Sequence, residues 1–177
     1  MHSEVVLPPY RILASPAGLP ELYDHYRKHA VLVDEIDLDS SEGTPCFFAV
    51  GRGDALSLVV AQRYGPAGYG FYPGLLLVPE TGIVFIGAGG RILAYSLEPE
   101  PRRLWVDSAD CGFWSWSRHG DLVVMSAELE LAAWTIAGEK RWTMFVEPPW
   151  SYTVSEGTLE LDVMGSISTF PVATGPR

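Results

Sequence analysis

The chain is 177 residues long and strongly acidic, because 22 aspartates and glutamates outnumber 12 lysines and arginines to give a formal net charge of −10. This charge repels phosphate backbones and disfavours nucleic acid as a partner, whereas it suits a basic protein or serves solubility alone. Hydrophobic residues make up 47% of the chain and charged residues 19%, which excludes wholesale disorder and fits a single domain over residues 1–177.

Composition also indicates the fold class and the setting. With 18 glycines and 14 prolines among many valines, isoleucines and aromatics, we expect an all-β fold with frequent turns. Cys46 and Cys111 lie in no CxxC motif, so two buried free thiols are the simplest expectation, and a disulfide is left open. The N-terminus lacks a signal-peptide pattern, and no apolar run approaches the ~20 residues that span a bilayer. We therefore expect a soluble, cytoplasmic protein with no membrane partner.

In chain order, residues 1–40 are predicted to form a strand and a helix appended to β repeats over residues 43–177. Residues 1–17 are broken by prolines and favour one extended edge strand. A helix over 19–29 is predicted because four residues share one helical face: Leu19, Leu22, Tyr23 and Tyr26. Strands and one glycine- and tyrosine-rich loop follow: strands 30–36, 46–50, 55–62 and 75–79, with the loop over 64–74.

A repeat begins after this point. Gly82, Gly120 and Gly157 are separated by 38 and 37 residues, and each precedes a strand, a tight turn and a second strand. An aromatic follows each glycine at offset 13 or 14 (Tyr95, Trp134, Phe170), and a tryptophan follows the first two at offset 23 or 22 (Trp105, Trp142). Gly43 begins a weak earlier copy, in which Leu56 stands at the aromatic position. A period near 38 with short strands is typical of β repeats.

This pattern, over residues 80–177, resembles the blades of quinoprotein-type and WD-type β-propellers. The WD dipeptide, the Gly-His pair and the cofactor-contacting residues of those families are missing, so the resemblance implies blade-like packing and carries over no cofactor or activity. The same region also resembles bacterial proteins for which no activity carries over. We expect antiparallel blade-like hairpins, in a partial or small propeller or in two packed sheets.

Three motifs invite a ligand-binding interpretation and fail it. Gly87-Ala88-Gly89-Gly90 is followed by a strand instead of a helix, which indicates a hairpin turn and not a dinucleotide loop. Residues 37–43 open like a calcium loop, but they lack the glycine and glutamate that an EF-hand requires. His25 and His29 share one helix face with two cations nearby, which oppose a metal ion.

No catalytic residue, metal site or cofactor is therefore predicted. Arg52-Gly53-Asp54 is interpreted as a hairpin turn. His119 stands at a turn, and an acid–base role for it requires a partner that the sequence does not identify. Glu128 and Glu130 alternate with leucines, so both are expected on one solvated strand face, although paired carboxylates also suit glycoside hydrolysis.

The tryptophans divide into two groups. Those at repeat positions (Trp105, Trp134, Trp142) are predicted to pack in the core. The others are candidates for an aromatic recognition surface, with Trp114 and Trp116 expected to share a face. The full candidate binding set is Trp114, Trp116, Trp150, Tyr152, Tyr72, Glu128, Glu130 and Glu147, with Tyr69 and Phe71 from the same loop as Tyr72.

The sequence favours a non-enzymatic protein-binding β domain with an aromatic face and an acidic rim. A specific version is an acidic immunity- or antitoxin-like protein that caps a basic partner. The alternative is a carbohydrate- or small-ligand-binding module, or a hydrolase, that uses the tryptophans and paired carboxylates. Open strand edges also make a homodimer an expectation.

Overall fold

The computed structural model describes residues 3–65 and 72–176. Short strands dominate this part of the chain, and a single short helix lies between the second and third of them. The elements are β1 (Ser3–Leu7), β2 (Tyr10–Ser15), α1 (Tyr23–His29), β3 (Leu32–Ile36), β4 (Thr44–Arg52), β5 (Ala55–Tyr64), β6 (Gly74–Val78), β7 (Ile83–Ala88), β8 (Arg91–Ser96), β9 (Arg102–Ser108), β10 (Phe113–His119), β11 (Leu122–Ala127), β12 (Glu130–Thr135), β13 (Lys140–Phe145), β14 (Trp150–Ser155), β15 (Thr158–Val163) and β16 (Ser166–Pro171).

The strands form four sheets, and the predicted all-β class with hairpin sheets is confirmed. The first sheet has the order β1-β2-β4-β5-β3, and the others are simple meanders: β6–β9 in the second, β10–β13 in the third and β14–β16 in the fourth. Every pairing in these sheets is antiparallel except β3 with β5. The N-terminal 40 residues thus supply three strands of the first sheet.

Three apolar clusters hold successive sheets together. Phe48 and Tyr95 belong to the cluster between the first and second sheets. Phe85 and Trp134 belong to the next cluster, and Trp142 and Leu159 to the cluster between the third and fourth sheets. Each cluster joins two sheets that are consecutive in the chain, so the sheets stack in chain order. Among the described residues, no cluster joins the first sheet to the fourth. Burial of such large side chains supplies most of the stabilisation, at about 25 cal/mol per Å².

Helix α1 covers the free face of the first sheet. The rings of Tyr23 and Tyr26 lie 5.9 and 5.6 Å from that of Phe47. Leu19 and Leu22, predicted on the same face, are exposed instead. The helix begins at Tyr23 and is therefore shorter than predicted. Residues 20–23 form a turn before it, in which the Tyr23 amide donates to the Pro20 carbonyl.

The repeat glycines occupy equivalent hairpin turns. Gly82, Gly120 and Gly157 stand between the first and second strands of their sheets, with φ of 63°, 61° and 77°. This left-handed conformation favours glycine. Gly43 is different, because it lies between β3 and β4, which are not neighbours in the first sheet. The prediction that Gly43 begins an earlier copy of the same unit is therefore wrong.

The turns of the stack collect at two ends. One end carries the turns with Gly82, Gly120 and Gly157. At the other end, Phe113 N donates to Gly89 O over 2.7 Å, and Met164 N donates to Pro149 O over 3.1 Å. The Arg91–Asp37 ion pair ties the loop over residues 37–43 to this second end. We call this second end the acidic end, because residues 37–43, 107–112, 128–130 and 147–149 carry eight acids there and no lysine or arginine.

Candidate functional site

The acidic end takes its charge from four turn segments: residues 37–43, 107–112, 128–130 and 147–149. These segments contain no lysine or arginine. Their eight acids are Asp37, Asp39, Glu42, Asp107, Asp110, Glu128, Glu130 and Glu147. A dense set of carboxylates on neighbouring turns produces a negative potential that attracts cations and basic proteins.

Few cations neutralise this end. Arg91 pairs with Asp37 and Lys140 with Asp107, each at 2.8 Å. The other six acids make no salt bridge within the described residues. Arg63 also reaches the loop over residues 37–43, but it donates to the backbone carbonyls of Leu38 and Gly43 and not to a carboxylate. An open groove of about 1110 Å³ lies here between the first and second sheets, with Asp37, Asp39 and Glu42 on its wall.

An aromatic stack borders the acidic end at the junction of the third and fourth sheets. Trp114 and Trp150 stack with ring centroids 5.0 Å apart and planes 15° apart. Trp150 and Tyr152 continue the stack at 6.2 Å. Trp150 Nε1 also donates to the Glu128 carbonyl over 3.0 Å, which fixes the stack against the acidic turn. All three rings are partly exposed. We use the name aromatic stack for Trp114, Trp150 and Tyr152.

Trp116 does not belong to this stack. Its ring lies 5.3 Å from Phe85 and 5.6 Å from Trp134, inside the cluster between the second and third sheets. The cause is an irregularity in β10, where Phe113 pairs with Ala127 but Ser115 pairs with Ser126. This bulge leaves Trp114 as an extra residue and turns it away from the Trp116 face. The prediction that Trp114 and Trp116 share a face is therefore wrong.

Two of the three repeat tryptophans lie in the core as predicted, and the third, Trp105, is partly buried and packs against it. Trp134 and Trp142 are buried, and Trp105 stacks on Trp134 with centroids 5.5 Å apart. Trp105 Nε1 donates to Gly138 O and Trp142 Nε1 to Val172 O, each over 2.7 Å. Each of these bonds links one sheet to the loop after the third strand of the next sheet.

The two candidate carboxylates are separated by the β11–β12 turn. Glu128 lies in this turn, whereas Glu130 begins β12 and is only 8% exposed. Glu130 accepts hydrogen bonds from Thr143 Oγ1 at 2.6 Å and from Asp110 N at 3.2 Å. The expected solvated strand face is therefore wrong for Glu130, which has a structural position. Glu147 is exposed beside Pro148.

The remaining candidates lie at or beyond the edge of the described chain. Tyr72 is 73% exposed and lies near Tyr64, the last residue of β5 in the first sheet. Tyr69 and Phe71 lie outside the described residues.

Residues 89–90 and 53–54 form hairpin turns, which confirms both turn predictions. His29 Nδ1 lies 2.7 Å from the His25 carbonyl, in a contact within the helix.

One group was not found from sequence. Ser117 Oγ lies 2.5 Å from Tyr152 Oη and 3.1 Å from His119 Nε2, so Tyr152 of the aromatic stack, Ser117 and His119 form a chain of polar groups. Burial lowers the pKa of His119. The i, i+2 spacing of Ser117 and His119 on β10 is the only sequence signal for this group, and it is common in strands. It bonds the third sheet to the fourth.

The two cysteines differ in exposure. Cys46 is fully buried, and burial raises the pKa of its thiol to about 12. Cys111 is exposed in the turn at the acidic end, so its predicted burial is wrong. Both thiols are free.

No protein-family model matches the chain, and no curated protein matches it significantly. Within the described residues, no helix is long and apolar enough to cross a membrane. In the same part of the chain, no group of three or more His, Cys, Asp and Glu side chains is placed to hold a metal ion. The functional assignment below therefore depends on the acidic end and the aromatic stack.

Proposed function

We propose that this protein is a non-enzymatic protein-binding domain whose acidic end contacts a basic partner. The observation that carries the proposal is that six acids without a salt bridge in the described residues lie at the end of the molecule that the aromatic stack borders. Partly exposed, stacked tryptophans supply contact area with little conformational freedom to lose. The surrounding carboxylates attract a cationic surface and orient it.

A more specific version is an immunity- or antitoxin-like protein that caps a basic toxin in a bacterial cytoplasm. Capping a basic active site requires an anionic surface that excludes the normal anionic substrate, and the acidic end has this character. The size and net charge of −10 suit the role. This specific version requires that the bound partner be a basic protein.

The alternative of a carbohydrate-binding module or a hydrolase has less support. Its paired carboxylates do not converge, because Glu130 is buried and already accepts two hydrogen bonds. The two smaller grooves, of about 570 and 280 Å³, are not lined by the tryptophans of the aromatic stack.

The test is capture of the partner from the source organism with two matched variants. The first neutralises four exposed acids of the acidic end: Asp39→Asn, Glu42→Gln, Asp110→Asn and Glu147→Gln. The second makes the same number of changes at the opposite end: Asp54→Asn, Glu100→Gln, Glu139→Gln and Glu156→Gln. Both sets lie on exposed residues, so folding is expected to be unaffected.

We expect the first variant to bind at least tenfold more weakly than the wild type and the second to bind within about twofold. Raising salt from about 0.05 to 0.5 M should weaken wild-type binding, because exposed charges are screened. Equal losses in both variants, or indifference to salt, would contradict the proposal.

A further inference from the structure

The fourth sheet has one strand fewer than its neighbours within the described residues. In the second and third sheets, β9 and β13 pair antiparallel with the third strands, β8 and β12. The counterpart of β8 and β12 is β16, because Phe170 follows Gly157 as Tyr95 follows Gly82. Nothing in residues 3–65 and 72–176 pairs with the outer edge of β16.

This edge offers free backbone hydrogen-bonding groups. Met164 and Gly165, with φ of 53° and 85°, form a two-residue turn that makes Val163 and Ser166 a hydrogen-bonded pair. Alternation along β16 then points the N–H groups of Ile167 and Thr169 away from β15. Ile167 is also 63% exposed. Such an edge is a template for another strand.

The fourth strands of the second and third sheets, β9 and β13, indicate what kind of strand fits this edge. Each begins with two cations and continues to a tryptophan, with Arg102 and Arg103 before Trp105 and with Lys140 and Arg141 before Trp142. Trp105 pairs with Ala94 and Trp142 with Ala133. The residue at the same register position in β16 is Thr169.

The charge of the fourth sheet complements such a strand. Residues 150–171, which form this sheet, contain three acids and no lysine or arginine. The acids are Glu156, Glu160 and Asp162. Glu160 lies directly across from Thr169 on β15.

We infer that the open edge of β16 is a docking site for an extended basic segment of a partner protein. The segment adds as a fourth antiparallel strand, with an aromatic side chain opposite Thr169. Backbone hydrogen bonds supply affinity, and the aromatic and basic side chains supply specificity. The inference rests on the proposed function for the basic character of the partner, but it uses a different surface from the acidic end.

The probe is a capped peptide that copies residues 140–146, KRWTMFV, titrated into the full chain while backbone amide resonances are recorded. We expect the largest shifts at Ile167 and Thr169. Thr169→Pro should weaken binding at least tenfold, because it removes an outward N–H without breaking the β15 ladder. Thr169→Val, the matched control, should bind within about twofold of the wild type.

Modified peptides keep the test independent of any folding defect in Thr169→Pro. N-methylation at the peptide tryptophan should abolish binding, since that amide faces β16, whereas N-methylation at the next threonine should not. Absence of binding at millimolar peptide, shifts confined to another surface, or equal effects of both methylations would overturn the inference.

The peptide titration also separates this inference from the proposed function. The variant with four neutralised acids at the acidic end should still bind the peptide, since all three acids of the fourth sheet remain. Loss of partner capture with peptide binding intact would overturn only the proposed function. Self-association of the protein that Thr169→Pro abolishes would assign the edge to a second copy and overturn the partner assignment.

Discussion

At the scale of single residues, Glu130 shows why a pattern of alternating charges can mislead. In sequence it matches Glu128, but the turn between β11 and β12 separates them. Glu130 is buried and accepts hydrogen bonds from the Asp110 amide, which follows β9 of the second sheet, and from the Thr143 hydroxyl on β13 of its own sheet. Its carboxylate is thus a structural group at the acidic end.

The first prediction concerns this carboxylate. Glu130→Ala should lower the free energy of unfolding by about 2 kcal/mol, because the Asp110 amide and the Thr143 hydroxyl lose the buried carboxylate that accepts their hydrogen bonds. Glu128→Ala, the matched control, should change it by less than about 0.5 kcal/mol. Urea unfolding measures both variants. Equal effects would show that Glu130 has no structural role.

His119 gives a prediction about pH. Burial lowers its pKa below the ordinary value near 6.5, so the folded protein binds fewer protons than the unfolded chain in this range. The unfolding free energy should therefore be highest above pH 6.5 and fall as pH decreases through that value. His119→Asn should flatten the decrease between about pH 7.5 and 5.5. The prediction fails if the two proteins lose stability in parallel.

At the scale of elements, α1 depends on the sheet that it covers. A helix of seven residues is too short to be stable alone, and it has no side-chain cap at its start. Its contacts are the rings of Tyr23 and Tyr26 on Phe47, with Tyr23 Oη also bonded to Glu35.

A second stability prediction follows from these contacts. Tyr26→Ala should destabilise the protein by about 2 kcal/mol and speed amide exchange in α1, because the helix loses one of two anchors. Lys28→Ala, on the exposed side, should have almost no effect. Amide hydrogen exchange, measured along α1 in both variants, tests this difference. Unchanged exchange in Tyr26→Ala would mean that other contacts hold the helix.

The sequence predicts elements well where a local rule is strong. The repeat spacing predicts the glycine turns at Gly82, Gly120 and Gly157 and the core position of Trp134. It does so because the second, third and fourth sheets repeat the same hairpin. Spacing does not predict the bulge at Trp114, because it depends on how β10 pairs with β11. The parallel placement of β3 beside β5 depends on contacts far apart in the chain.

The candidate site was predicted only in part. Trp114, Trp150 and Tyr152 do stack, but Trp116 packs on the other face of the third sheet. The acidic end joins segments separated by up to about a hundred residues. No local pattern contains that information, since only the order of the sheets brings residues 37–43 near residues 107–112.

At the scale of the whole molecule, the stack of sheets exposes charge at one end and an unpaired strand edge on the last sheet of the described residues. Because consecutive strands in each meander are antiparallel, the turns with Gly82, Gly120 and Gly157 lie at one end and the acidic turns lie at the other. Cations pair with two of the eight acids there and leave a net negative surface. This asymmetry is the physical basis of the proposed function.

The most direct measurement uses Cys111, which is exposed within the acidic end, with buried Cys46 as the internal control. Alkylation of Cys111 by a neutral maleimide is timed with and without the captured basic partner. We predict that the partner slows modification of Cys111 at least tenfold, while Cys46 stays unreactive in both states. An unchanged rate at Cys111 with the partner bound would contradict binding at the acidic end.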